Sequence, residues 1–354
     1  MKKTIIKLTS VILAILMVVS LAACGKAPDD NNDTTEEIKN DNTTEAEEIK
    51  PDTELKINIS VLNGTTALGM AQMINKAKNN TDEMNYNVEV FTAADAITGP
   101  IVSGETNIAA LPTNVAAKLY KASKGKVQLL ALNTLGVLYL LQNGETPITD
   151  FNALKGKTVY VPGAGSNPEY ITAALFEANG LKVGEDVTID ATSYPSPDAL
   201  QTALVSGVGG VEFAVLPEPK VTVITMKNAN VKVAMNFTDK WESIYGENTL
   251  AQGCLVVNTE FAKAHPAEVK KFLEDYKSSV DFIKGGSDEA ISEIVTAGIL
   301  PNEAIAKKAL PNCNICFIEG NEMKTAISVF YQKLFEADNK SILAVPDDNF
   351  YYVK

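Results

Sequence analysis

The chain lacks arginine and has very little histidine or tryptophan. All 31 basic residues are lysines, and His265 and Trp241 are the only residues of their types among 354. Arginine is the side chain that grips carboxylate, sulfonate or phosphate with two parallel hydrogen bonds, so clamps of that kind are excluded. A lone histidine also leaves little scope for histidine catalysis or for histidine metal sites. We therefore expect no catalytic residues, no metal and no cofactor.

The charge balance is strongly acidic. The formal net charge is -13 and the pI is about 4.7, whereas a protein that binds the phosphate backbone is basic, so nucleic acid is not an expected partner. Hydrophobic residues make up 45% of the chain and charged residues 21%, which is the balance of a globular protein. The length corresponds to about two domains of ~150 residues each.

Residues 1–23 have the pattern of a secretory signal peptide. A lysine-rich start precedes an unbroken apolar run at 11–19, which is shorter than the ~20 residues that a membrane-spanning helix needs. The sequence LAAC at 21–24 resembles the lipobox of bacterial lipoproteins. That resemblance implies cleavage before Cys24 and a lipid anchor, such as palmitate, on Cys24 itself. The alternative is an ordinary signal peptide with an incidental cysteine.

The segment that follows is expected to be a disordered acidic tether over residues 24–54. Between Asp29 and Glu54 there are eleven acidic residues and two lysines, with Asn and Thr filling the gaps. Such a composition cannot bury enough apolar surface to offset the entropy of ordering. Together with a lipid on Cys24, it predicts a protein body held outside the cell membrane, on its outer face.

From Leu55 onward, strand-like and helix-like periods alternate. Short apolar runs with period-two spacing are separated by segments with helical spacing, and the pattern restarts near Thr158. This alternation predicts an α/β fold with mostly parallel sheets covered on both faces. Two such units indicate two lobes around a cleft, and ligands of such sheets bind at the carboxyl ends of the strands.

Three short motifs carry a resemblance to a known family. They are Asn63-Gly64-Thr65-Thr66, Leu111-Pro112-Thr113-Asn114, and the run LKGKTVYVPGAGS at 154–166. With the lipobox and the tether, they resemble the solute-binding lipoproteins of ABC importers in the NMT1/THI5-like group, which is named for nitrate, sulfonate, taurine and thiamine-precursor binding. The resemblance implies a two-lobed type II periplasmic-binding-protein fold with a ligand cleft between the lobes. By analogy, lobe 1 comprises residues 55–138 and 252–354, lobe 2 comprises 139–251, and the crossovers lie near 135–143 and 246–253.

The same resemblance implies a function. The protein would capture a small organic solute in the cleft, close on it, and deliver it as a monomer to the membrane permease of the transporter. It would not be an enzyme. A ligand-presenting sensory receptor is the alternative. An enzyme of the thiamine-pyrimidine type is less well supported, since the fungal enzymes of that family use histidine and clustered cysteines, which this chain does not provide.

Helix starts are the expected ligand-binding groups. Unpaired N–H groups and a partial positive charge at a helix N-terminus hold anions and polar oxygens without any basic side chain. Each of three turns precedes a predicted helix, and Ser166 or Asn167 is expected to cap the third. An ordinary capped turn is the alternative for each. The residues of these turns predicted to bind ligand are Asn63, Gly64, Thr65, Thr66, Pro112, Thr113, Asn114, Gly163, Ala164, Gly165, Ser166 and Asn167.

Three further residues are candidates for the cleft. Tyr170 and Tyr194 follow strands of the second unit and could stack on a planar ligand or simply cover the rim of the lobe. Glu218, between two prolines, could accept a hydrogen bond from an amine, or lie on the surface of a rigid turn. Cys313 and Cys316 could form a local disulfide or fill core positions as thiols, and a structural role is favoured.

Overall fold

A computed structural model describes residues 50–353. The predicted signal peptide and Cys24, the predicted site of lipidation, lie outside the described residues. The strands of the described part are β1 (Ile57–Leu62), β2 (Tyr86–Phe91), β3 (Ile108–Pro112), β4 (Val127–Thr134), β5 (Leu138–Asn143), β6 (Thr158–Tyr160), β7 (Thr188–Asp190), β8 (Phe213–Pro217), β9 (Val231–Asn236), β10 (Gly253–Asn258) and β11 (Ile315–Glu319).

Helices connect most of these strands. They are α1 (Thr65–Leu68), α2 (Ala71–Asn79), α3 (Asp95–Ser103), α4 (Thr113–Ser123), α5 (Asn167–Ala178), α6 (Pro197–Ser206), α7 (Lys220–Lys227), α8 (Phe237–Tyr245), α9 (Thr259–Ala264), α10 (Pro266–Lys284), α11 (Asp288–Thr296), α12 (Glu303–Ala309) and α13 (Gly320–Ala337). None of the described helices is both long and apolar enough to cross a lipid bilayer.

The strands form two separate sheets, which confirms the predicted α/β fold. The six-stranded sheet has the order β11-β4-β10-β3-β1-β2, and the five-stranded sheet has the order β7-β6-β8-β5-β9. We call the elements around the first sheet (β1–β4, β10, β11, α1–α4, α9–α13) the first lobe. Those around the second sheet (β5–β9, α5–α8) are the second lobe. The exact boundaries predicted for the lobes, at residues 138/139 and 251/252, stay predictions.

The strand directions differ from the prediction of mostly parallel sheets, which is wrong. Only β1 with β2 and β3, and β6 with β7 and β8, pair in parallel. The other described pairings are antiparallel. The crossovers are the reason. Strand β4 ends at Thr134, the chain crosses to the second sheet over 135–137, and β5 starts beside the last residues of β8 and β9. A strand that starts where its neighbours end must run against them, and β10 does the same on the return.

A continuous set of buried apolar side chains joins the two lobes. It includes Leu111 and Phe330 from the first lobe and Phe151, Phe176 and Trp241 from the second. Helix α13 packs against α5 as well as against its own sheet, and the rings of Phe330 and Trp241 lie 5.6 Å apart. Trp241 therefore packs in the core.

The folded body begins before the predicted end of the tether. The backbone N–H of Asp52 donates to the carboxylate of Glu268 at 2.9 Å, and the carbonyl of Glu54 accepts from Asn85 at 3.1 Å. Residues 52–54 are thus held by the body and are not part of a disordered segment. Of the two alternatives for Cys313 and Cys316, the structure has the buried free thiols.

Candidate functional site

Two of the three predicted turns meet between the lobes. The amide Nδ2 of Asn167, at the start of α5, lies 3.4 Å from Thr113 Oγ1 and 3.3 Å from the carbonyl oxygen of Gln252. Thr113 starts α4 in the first lobe, and its hydroxyl donates to the carbonyl of Ala251 at 2.8 Å. Strand β3 must deliver Thr113 to this edge because its last residue, Pro112, pairs with Gly253 at the start of β10.

The first predicted turn, at 63–66, reaches the same place through its last residue, Thr66. The carbonyl of Thr66 accepts from Asn133 Nδ2 at 3.2 Å, and Thr134 Oγ1 donates to Asn133 Oδ1 at 3.1 Å. A Cβ atom on Gly253 would lie 2.8 Å from Thr66 Cγ2, so the backbone of Gly253 is packed directly against Thr66. We call Thr66, Thr113, Asn133, Asn167 and Gln252 the interlobe junction.

The junction is closed to solvent. Thr113 and Asn133 are at most 1% exposed, and Thr66, Asn167 and Gln252 are at most 8% exposed. Asn114 is also buried, whereas Asn63 is exposed and accepts a hydrogen bond from the N–H of Gly64 at 2.9 Å. The outer part of the first turn, including Thr65, therefore forms the rim of this region.

The helical spacing at 67–77 predicts one continuous helix after the first turn, and the structure has two shorter ones. Helix α1 has four residues and is separated from α2 by Gly69 and Met70. A Cβ on Gly69 would lie 2.6 Å from Tyr276 Oη, so this glycine lets a buried tyrosine approach the backbone and the helix is interrupted there. A helix of four residues has only a small dipole, so the N-terminus of α1 attracts an anion weakly.

At the start of α5 the expected cap is wrong. The hydroxyl of Ser166 donates back to the carbonyl of Pro162 at 3.0 Å and makes no capping hydrogen bond. Instead, Glu169 Oε2 accepts from the N–H of Gly165 at 2.5 Å. Gly163 and Gly165 have positive φ angles of 75°, which glycine adopts without strain, and Ala164 between them is exposed. Glu169, in the first turn of α5, thus places a carboxylate of the chain itself at the start of the helix.

Tyr170 lies where the lobes meet, but one face of its ring is already covered. It is 8% exposed, and Lys118 Nζ from α4 of the first lobe lies 5.4 Å from the ring centroid. Burial raises the pKa of Tyr170 and lowers that of Lys118. Stacking on a ligand remains a prediction for this residue.

Tyr194 packs within its own lobe. Its ring meets Tyr160 edge-on at 5.4 Å, and a Cβ on Gly209 would lie 2.6 Å from its hydroxyl. In the described part of the chain these ring contacts all belong to the second lobe, so the structure does not bring Tyr194 to the junction.

Glu218 is buried and turned inward. It is 3% exposed, and its carboxylate accepts from the N–H of Thr222 at 3.0 Å and from the Thr222 hydroxyl at 2.9 Å. Burial raises the pKa of Glu218, while Thr222 and then Asn312 and Lys308 of the first lobe act in the opposite direction. Asn312 also makes a second contact between the lobes, because its carbonyl accepts a hydrogen bond from Tyr139 Oη of β5 at 3.3 Å.

The sequence reasoning missed several polar residues of this region. Asn133, Gln252 and Asn312 were not predicted to take part. Gln252 fixes the crossovers, because its Oε1 accepts from the N–H of Val137 at 2.7 Å. A signal was available for Asn133: it is one of two polar residues, with Thr134, inside a long apolar run.

A separate cavity of about 620 Å³ opens beside the crossovers. Leu135 and Asn248 line it together with Lys284, Lys307 and Cys316 of the first lobe. None of the predicted ligand-binding residues lines this cavity. It is therefore distinct from the junction.

Comparison with known proteins confirms the predicted resemblance. A family model described as NMT1/THI5 like matches residues 124–290. That range runs from the end of α4, through both crossovers and the whole second lobe, into α11. Comparison with curated protein sequences gives no match.

Solved structures of transporter proteins share the fold. The crystal structure of an ABC transporter from Parabacteroides distasonis is 23% identical, with a TM-score of 0.69, covering 86% of this chain and 100% of that one. The periplasmic aliphatic sulphonate binding protein SsuA from Escherichia coli is 14% identical, with a TM-score of 0.67 and coverages of 82% and 90%. The alkanesulfonate-binding protein SsuA from Xanthomonas axonopodis pv. citri, bound to MOPS, is 14% identical, with a TM-score of 0.61 and coverages of 83% and 96%. The chain has the periplasmic-binding-protein fold.

Proposed function

We propose that this protein is the extracytoplasmic solute-binding component of an ABC importer. It captures a small organic solute between its lobes and delivers it to the membrane permease. This activity is the one that fits the fold and the family match, and no catalytic step is assigned to the chain. Closure on the solute is the event that the permease would recognise, because binding shifts the balance between open and closed forms.

One observation carries the proposal: the side chain of Asn167 contacts both lobes at the ends of the strands. Asn167 of the second lobe reaches both Thr113 of the first lobe and Gln252 of the returning crossover. The contacts of a residue that touches both lobes form when the lobes close and break when they open. A solute bound beside it therefore has different contacts in the two forms, which is the requirement for ligand-driven closure.

Replacing Asn167 tests this proposal. The full protein, purified from its native cells or from a cell lysate, is examined by native mass spectrometry for retained solutes, and their affinity is then measured by calorimetry. We expect Asn167→Ala to weaken binding by about tenfold, the effect of losing one buried hydrogen-bonding partner. Asn179→Ala is the matched control, because Asn179 lies at the other end of α5 and its Nδ2 donates only locally, to Leu175 O at 2.7 Å. Equal affinities of the two variants, or a protein that retains and binds no solute, would count against the proposal.

The membrane attachment is a separate part of the proposal. We propose that Cys24 carries a lipid, palmitate included, which holds the body at the outer face of the cell membrane through the acidic tether. Metabolic labelling with an alkyne fatty acid should mark the native chain and not Cys24→Ser, which should be released into the medium. Labelling that persists in the variant would refute the assignment. Sensing is the alternative to import, and loss of solute uptake on deletion of the permease would decide for import.

A further inference from the structure

The Asn167 side chain has one polar atom that the protein does not satisfy. Its Oδ1 is fully buried and has no hydrogen-bond partner among the described residues. A buried polar group without a partner costs about 1–3 kcal/mol, so such atoms are rare unless a ligand or water completes them.

The orientation of this amide is fixed by its neighbours. Nδ2 faces the carbonyl oxygen of Gln252 at 3.3 Å, and a carbonyl can only accept. Exchanging the two amide atoms would place Oδ1 against that carbonyl, and two acceptors repel. The free atom of Asn167 at the junction is therefore an acceptor, and what completes it must donate a hydrogen bond.

Carboxylates already accept backbone hydrogen bonds at the starts of α5 and α7 and at the end of β7, on this edge of the second lobe. Glu169 takes the N–H of Gly165 at α5, and Glu218 takes the N–H of Thr222 at α7. At the end of β7, Asp190 accepts from the N–H groups of Thr192 at 3.0 Å and Ser193 at 2.9 Å. An anion arriving at these starts would have to displace a negative charge that the chain itself supplies.

The nearby lysines do not reverse this charge. Lys220 is paired with Asp198 at 2.5 Å, and Lys308 offsets the buried Glu218. Lys118 is held over the ring of Tyr170, and burial lowers its pKa. An exposed or already paired ammonium group gives an incoming anion little attraction.

We infer that the interlobe junction binds an amine-bearing solute without net negative charge, which donates to Asn167 Oδ1 at the start of α5, and that it discriminates against sulfonates because Glu169 already occupies the N–H of Gly165 at that helix start. This inference rests on the proposed function and gives the solute its chemical class. It separates this chain from the sulfonate-binding proteins that share its fold.

Matched pairs of probes test the inference on the full protein. The pairs are 3-morpholinopropylamine with MOPS, butylamine with butanesulfonate, and benzylamine with benzenesulfonate, measured by calorimetry at low salt. We expect the amine of a pair to bind at least about tenfold more tightly than the sulfonate, since a sulfonate at the start of α5 has either to replace the Glu169 carboxylate at the N–H of Gly165 or to be repelled by it. Glu169→Gln should shrink this preference, and Glu177→Gln, an exposed carboxylate late in the same helix, should leave it unchanged.

Each outcome decides. A sulfonate that binds as tightly as its amine partner, or a preference that Glu169→Gln leaves untouched, overturns the inference but not the proposed function. Where no probe binds, the solute retained from cells is identified: an amine without net negative charge supports the inference, and an anion overturns it. A protein that binds no probe and retains no solute overturns the proposed function, and the inference fails with it.

Discussion

Gly136 is the position where a single added methyl group should do most damage. It lies in the three-residue crossover 135–137, and a Cβ there would be 2.2 Å from Thr238 Oγ1 and 2.6 Å from Leu250 Cδ2. Leu250 belongs to the returning crossover, so the missing side chain of Gly136 is what lets the two crossovers touch. The carbonyl of Gly136 also accepts a hydrogen bond from Asn314 of the first lobe.

The expected cost of Gly136→Ala follows from overpacking. Both neighbours must move by about an ångström, and forcing an extra methyl into a packed interior costs roughly 1–3 kcal/mol. For a chain of this size that lowers Tm by about 2–4 °C per kcal/mol. Gly99→Ala is the control, because Gly99 lies inside α3 with no atom within 4 Å of its Cβ position. The gain from alanine in a helix is offset there by Pro100, which disfavours a helical backbone at a preceding residue that carries a Cβ, so the net change should be less than ~0.5 kcal/mol.

The two substitutions are chemically identical and should differ clearly in their cost to stability. Denaturant unfolding of the full protein measures both, and Thr238→Ala combined with Gly136→Ala should recover part of the loss, because it removes the closest atom. Thr238 Oγ1 has no hydrogen-bond partner among the described residues, so its removal alone should cost little. If Gly136→Ala is as stable as Gly99→Ala, the close packing of the crossovers is refuted.

Three further predictions concern the buried interior. Burial holds the pKa of Glu218 above its ordinary value of 4.5, so its contribution to stability is complete below pH 4.5 and is lost as pH rises through the raised pKa; Glu218→Gln should flatten the dependence of Tm on pH above 4.5, and an unchanged profile would contradict this. Phe330→Ala should cost about 3–5 kcal/mol in denaturant unfolding, against less than ~0.5 kcal/mol for the exposed Val345→Ala, and similar values would show that α13 is not part of the core. The thiols of Cys254 and Cys313 are fully buried, and burial raises their pKa, so a thiol reagent at neutral pH should modify them only in denaturant; fast modification of the native protein would contradict their placement.

Much of the fold could be predicted because each strand and the turn after it are local features. The breaks predicted at 63–66, 112–114 and 163–167 each lie between a strand and a helix in the structure, since a polar break after an apolar run leaves few alternatives. At 112–114 the predicted turn is wrong, because β3 passes directly into α4. Which strand pairs with which is not local. Nothing in the sequence of β10 says that it enters between β3 and β4 and runs against both.

The candidate site was predicted only in part, for a related reason. Asn167 and Thr113 were named from their own turns, but Gln252 meets them through a crossover that is distant in sequence. The start of α5 was expected to leave its N–H groups free for an anion. Ser166 and Glu169 have the S-x-x-E spacing of a capping box, in which the glutamate reaches back to the helix start. The structure adds that Glu169 accepts from the N–H of Gly165, which changes the kind of ligand that the start of the helix can hold.

Helix α13 limits how the lobes can move. It belongs to the first lobe by its connection to β11, yet Phe330 packs on Trp241 of the second lobe, and Tyr331 Oη donates to the carbonyl of Thr113 at 2.8 Å. Exposing one buried aromatic side chain of ~200 Å² costs about 5 kcal/mol at ~25 cal/mol per Å². That exceeds the differential binding energy of a few kcal/mol that typically shifts a conformational equilibrium. Opening must therefore keep Phe330 on Trp241, so that α13 moves with the second lobe while the hydrogen bonds of Thr113 to Asn167 and Tyr331 break.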